Sequence, residues 1–166
     1  MEHSLLPKAY EATAAVLVAV TDWEAPSPCT EWTVRQVLDH LVEVHHMFAA
    51  AVDGGPQTGA GGFPAAADRC LAALSRPGAL TEAHPFPFGP TPGSVIARIS
   101  LSETVLHGWD IARGAGVPYA PPPEAVAALL AGADDVPLSE GLFAPPVTPA
   151  DDEPLTVLLA KVGRVA

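Results

Sequence analysis

The chain has 166 residues, 49% of them apolar and 6% aromatic, with 19 Asp and Glu against 8 Lys and Arg for a formal net charge of −11. That length is one domain's worth and supports a hydrophobic core without disulfides, and the apolar share excludes a disordered chain. The negative charge argues against nucleic acid and anionic lipid as partners, because both would repel it.

Alanine carries much of the apolar count, and alanine-rich chains with few β-branched runs lean helical. The start, MEHSLLPKAYEATAAVLVAV, has no basic leader, and its apolar stretch is too short for a bilayer, so a cytoplasmic protein is expected. The first helix is predicted over residues 5–20, with Leu6, Tyr10, Ala14, Leu17 and Val20 as its apolar stripe. Two prolines in DWEAPSPCTEW end it. The second helix begins after Thr33, followed three residues later by Gln36 in capping-box spacing, and ends near Val52 at AspGlyGly. Val37, Leu41, Val44, Phe48 and Ala51 form its main face, His40 and His45 flank that face, and His46 points away as a solvated residue.

A third helix is expected over residues 64–76, then an extended loop over 79–93 rich in proline and glycine, with Phe86 and Phe88 in it. The fourth helix begins near Pro92 and stops at Gly114 or Gly116, with Val95, Ile99 and Leu106 on its apolar face. A fifth follows over 122–133, a surface wrap over SEGLFAPPVTPADDE, and a short helix over 154–162. No repeat or long linker divides the chain, so a single domain over 1–166 is expected, an all-α helical bundle. Cys29 and Cys70 match no metal or redox spacing and read as free thiols.

The fourth helix carries the most informative oddity. Glu103, His107 and Asp110 recur at spacings of four and three beside its apolar residues. Ionisable groups on a core-facing arc are unfavourable unless paired or bound to metal. A carboxylate and an imidazole one turn apart can grip one ion; equally, Glu103 and His107 can form a structural hydrogen-bonded pair. His40, on another helix, tips the balance toward metal. Two histidines and a carboxylate leave an open position, the composition of a catalytic zinc site or of a ferrous facial triad. Asp110 reads as a partner that orients His107, or as a partner of Arg113. Trp32 and Trp109 read as packing residues or as pocket walls.

CTEWTVRQVLDHL followed by SETVLHGWDIARGAG resembles the DinB/YfiT-like metal-dependent transferases, and among them the N-terminal domain of mycothiol-dependent maleylpyruvate isomerases. FAPPVTPADDEPLTVLLAKVGR looks like the tail of a single-domain actinobacterial metal-binding branch. The resemblance implies a four-helix bundle with one or two short additional C-terminal helices. It places the family's metal ligands on His40, Glu103 and His107. No counterpart of the second domain of those isomerases is expected in these 166 residues, which argues against maleylpyruvate itself as the substrate.

The implied chemistry is a divalent metal, zinc first with Fe2+ or Ni2+ as alternatives, presenting a low-molecular-weight thiol such as mycothiol as its thiolate to a small electrophile. The reaction would be a thiol transfer or an isomerisation. His45, Asp110 and Arg113 are the candidates for proton handling or substrate anchoring. A small hydrolase using metal-activated water, and a non-enzymatic metal-binding module, are the competing readings. The expected partners are a small-molecule substrate and a thiol, with the chain a monomer or homodimer. The opening to the metal is expected between the second and fourth helices, bordered by the 79–93 loop with Phe86 and Phe88 as its walls.

Overall fold

A computed structural model describes residues 2–29, 31–133 and 144–166, and the chain divides into two compact units, Met1–Pro121 and Pro122–Ala166. The fold is all-α, with a four-helix bundle in the first unit and two short helices in the second. In the first unit a 3-10 turn, Glu2–Leu5, leads into α1 (Leu6–Ala19), followed by α2 (Val34–Asp53), α3 (Gly62–Leu74) and α4 (Gly93–Ala115). The helices close a ring in which α1 packs on α4 and α3, and α2 packs on α3 and α4.

The second helix starts where its capping box demands. Thr33 Oγ1 accepts from the Gln36 amide at 3.3 Å, and Gln36 Oε1 accepts from the Thr33 amide at 2.9 Å. It stops at Gly54, whose φ of 72° is the left-handed conformation that glycine adopts without strain. Val37, Leu41 and Phe48 are buried as expected, whereas Val44 and Ala51 are only half-buried. His46 departs from expectation: it is 4% exposed, because the segment after the helix returns over it and lays Gly59 against its ring.

In α1 the buried face is Leu6, Ala9, Tyr10, Thr13, Val16 and Val20, rotated from the expected stripe, with Ala14 and Leu17 only half-buried. The reason is Thr13, a polar residue that the apolar pattern passes over. Its hydroxyl lies 3.2 Å from both the Thr104 carbonyl and the Tyr119 hydroxyl. The same offset recurs in α4. Val95 is 43% exposed and Ile99 half-buried, while Ile96, Ala97, Ser100, Leu101 and Thr104 face inward. Every residue from Thr104 to Ala112 is buried.

The stretch between α3 and α4 is not wholly a loop. Ala83–His84 (β1) and Thr91–Pro92 (β2) pair antiparallel, Ala83 with Pro92 and His84 with Thr91. Prolines keep the backbone extended but withhold donors, so the ladder ends after two residues. His84 is buried with its Nε2 2.7 Å from the Ala79 carbonyl.

In the second unit, α5 (Pro123–Ala131) buries Ala125, Val126 and Leu129, and α6 (Pro154–Lys161) buries Leu158, Leu159 and Ala160. These two helices pack on one another. The expected surface wrap is exposed over residues 144–153; its first part, residues 139–143, lies outside the described residues. Neither Cys29 nor Cys70 is in a disulfide, as the sequence reading expects. Among the described residues no helix is long and apolar enough to cross a membrane.

Candidate metal centre

Three side chains from two helices meet at one carboxylate oxygen. Glu103 Oε2 lies 3.1 Å from Nε2 of His107, one turn along α4, and 3.2 Å from Nε2 of His40 on α2. The two imidazole rings stand edge to face, 4.9 Å between centres. Donor atoms about 2.1 Å from a tetrahedral zinc stand about 3.4 Å apart, so this set needs only small adjustment to surround an ion. All three offer a ligand atom within 4.8 Å of the others. His40 has a side chain 30% exposed against 11% for His107, so the open side of the cluster is at His40.

The electrostatics are those of a concentrated charge site. Burial alone would raise the Glu103 pKa, but hydrogen bonds from His107 and His40 hold its carboxyl well below the usual carboxylate range. Burial likewise opposes a charged His107, yet hydrogen bonds to Asp110, Cys29 and Glu103 outweigh it and push its pKa well above the ordinary value.

Asp110 acts on the other face of the same ring. It is fully buried, and its Oδ2 lies 2.9 Å from His107 Nδ1. With Nδ1–H donated to that carboxylate, it is the Nε2 proton that an incoming ion would displace, turning the Nε2 lone pair to the cluster as a metal-ligating histidine needs. The Cys29 thiol donates to the same Oδ2 at 3.2 Å, and its sulfur stands 3.8 Å from His107 Nδ1. Cys29, His107 and Asp110 thus form a second group of metal-capable atoms, on the Nδ1 side of the ring. Cysteine spacing could not have revealed this contact, since Cys29 and Asp110 are 81 residues apart in sequence.

The other sequence candidates lie elsewhere. His45 is fully buried in the bundle interior, with Nδ1 2.7 Å from the Leu41 carbonyl and Nε2 3.1 Å from the hydroxyls of Ser100 and Thr104. Both nitrogens are engaged, so its place is in the core. Arg113 is exposed in the last turn of α4, where its charge complements the helix C-terminus. Among the described residues the ion pair of Asp110 is with His107 rather than with Arg113.

The segment that borders the cluster is the one before α2. The Trp32 ring packs 5.1 Å from that of His40, and Cys29 reaches Asp110. This segment is braced by the Pro26–Thr33 bridge and by Arg35 stacked over Trp23 at 4.6 Å. The expectation for the 79–93 loop is corrected accordingly. Phe86 stacks on Phe48, eight residues past His40 and so about 12 Å along α2, and Phe88 leans on Phe86 with 74% of its surface exposed. Trp109 is a buried packing residue.

Residues 6–68 match the family model described as mycothiol maleylpyruvate isomerase N-terminal domain. Two uncharacterized proteins of Mycobacterium tuberculosis, one from strain CDC 1551 and one from strain H37Rv, are each 28% identical over 119 residues. That stretch is 66% of this chain and 64% of each relative, so the match spans somewhat less than two thirds of their length. No solved structure matches the chain significantly.

Proposed function

Starting from a chain related, over residues 6–68, to the mycothiol maleylpyruvate isomerase N-terminal domain, we propose a metal-dependent enzyme that uses a low-molecular-weight thiol in a transfer or isomerisation on a small electrophile. The observation that carries the reading is the single carboxylate oxygen of Glu103 held between Nε2 of His40 and Nε2 of His107. In this reading the three residues are the ligands of one divalent ion, zinc first, with a remaining position open at the His40 side. A divalent ion held there supplies the positive charge that keeps a thiol as its thiolate at neutral pH.

The chain's own residues do the rest. Asp110 fixes the His107 ring and its proton on Nδ1, which is positioning rather than contact with substrate. Trp32 packs its ring against that of His40 and would form one wall of the open side. Mycothiol is the thiol that the family description names, and it is the first to test.

Elemental analysis of protein purified without added metal is expected to find about one divalent ion per chain, lost in His107→Ala with the helical signal kept. Mycothiol titrated into the cobalt-substituted protein is expected to raise a thiolate-to-cobalt charge-transfer band that His40→Ala abolishes. A protein that retains no metal, or that gives no band with any small thiol, would overturn the reading; ester turnover without thiol would move it to a hydrolase.

A further inference from the structure

The segment before α2 touches both imidazole rings of the cluster. Trp32 packs on the His40 ring, and Cys29 reaches the carboxylate that holds the His107 ring. The segment is tied to itself and to the bundle. Ser27 donates its amide to the Trp32 carbonyl at 3.0 Å and its hydroxyl to the same carbonyl at 2.8 Å, and the Trp32 amide donates to the Cys29 carbonyl at 3.0 Å. Glu31 has a φ of 71°, a left-handed conformation that a residue with a side chain keeps only where its surroundings impose it. The segment lies so close on α4 that a Cβ at Gly114 would overlap Val34 and the Pro26 carbonyl.

Asp110 is fully buried, so bulk water does not reach its carboxylate. An ionised carboxylate only accepts hydrogen bonds, and a buried one is held in place by the donors that reach it. Two donors converge on Oδ2, the His107 ring at 2.9 Å and the Cys29 thiol at 3.2 Å. The ring is the group being oriented. Of these two donors, therefore, only the thiol anchors the carboxylate independently of the ring.

We propose that Cys29 is a positioning residue of the metal centre, whose thiol fixes the Asp110 carboxylate and, through it, the His107 ring that offers Nε2 to the ion. A thiol is a weak donor, so it holds the carboxylate while leaving most of its negative charge for the Nδ1 proton. The segment that carries Cys29 also carries Trp32, so the wall of the open side and the orientation of a ligand on α4 depend on one piece of backbone. The proposal rests on the metal-site reading for its effect on the ion; the chain of contacts from Cys29 through Asp110 to His107 does not itself require metal.

The test compares Cys29→Ser, which keeps a donor, with Cys29→Val, which keeps a small packed side chain and removes the donor, in the full chain isotopically labelled in its histidine rings. Zinc affinity is read by competition with a chelator, and the His107 ring resonances are read in the zinc-free protein. Cys29→Val is expected to bind zinc about tenfold more weakly, the low end of the loss that follows removal of an outer partner, and to shift the His107 ring resonances without zinc. Cys29→Ser is expected to stay close to the parent in both. In an Asp110→Asn background Cys29→Val is expected to cost nothing further, because the thiol acts through that carboxylate. If Cys29→Val loses helical signal, Cys29→Ala takes its place in the comparison. Affinity and resonances unchanged in Cys29→Val, a Cys29→Ser as weak as Cys29→Val, or losses that add to those of Asp110→Asn would each overturn the proposal. A parent chain that binds no zinc would sink the metal-site reading, and the ring resonances of the zinc-free variants would then decide the proposal by the same comparison.

Discussion

Asp110→Asn keeps the outline of the site but removes the charge that holds the Nδ1 proton of His107. We expect metal affinity to fall about 10-fold to 100-fold with the helical signal intact, the usual effect of losing such a partner. Metal competition titration measures it, and an unchanged affinity would show that Asp110 does not orient the ring. His45 carries a different consequence. Burial pushes its pKa down to about 4, below the 6.5 of an exposed histidine. Between those values the unfolded chain binds a proton that the folded chain refuses, so stability is full above about pH 6.5 and is lost as pH falls toward 4. The loss approaches roughly 3 kcal/mol at the acid end. Urea unfolding across that range should give a shallower pH slope in His45→Gln; an identical slope would assign the acid sensitivity to other groups. At this scale the sequence reveals helix neighbours well. Glu103 and His107 are one turn apart, and His40 stands out as an ionisable residue beside an apolar face. It does not reveal Cys29, or the burial of His46, because both depend on segments that return from elsewhere in the chain.

The second helix brings His40 to the site from a cap seven residues upstream, and that cap is made of two reciprocal hydrogen bonds. Thr33→Ala removes one of them and leaves the amide of Gln36 without its acceptor, so a loss of about 1 kcal/mol is expected by thermal or urea unfolding. A variant as stable as the parent would mean that the Pro26–Thr33 bridge, not the cap, fixes the start of α2. Caps of this kind are local in sequence, which is why Thr33, Gln36, Gly54 and Gly116 could be read from the chain directly. The buried faces of α1 and α4 were harder to read for one physical reason. Their seam is partly polar, with the Tyr10 hydroxyl 2.8 Å from Ser100 Oγ and Thr104 Oγ1 bonded to the Ser100 carbonyl at 2.7 Å. An apolar periodicity rotates each helix away from such residues. The β1–β2 pair was hidden by the prolines beside it, which mark a loop in sequence and here only shorten the ladder.

Across the whole molecule, the two units Met1–Pro121 and Pro122–Ala166 pose a question of cooperativity. We propose that residues 1–166 unfold as one domain. Scanning calorimetry is expected to give a single transition whose calorimetric and van't Hoff enthalpies agree, and two resolved transitions would refute it. Saturating zinc should raise the midpoint. An excess of a thousandfold over Kd contributes about 4 kcal/mol, or roughly 10 °C for a chain of this size. The continuous burial of Thr104 through Ala112 bears on how such a protein can diverge. A buried position tolerates few replacements, so drift along that stretch is purged whatever the substrate. Sequence change in descendants of this chain is therefore expected to gather in the exposed stretches before and after α2, around Trp32 and around Thr58, and to spare residues 104–112 of α4.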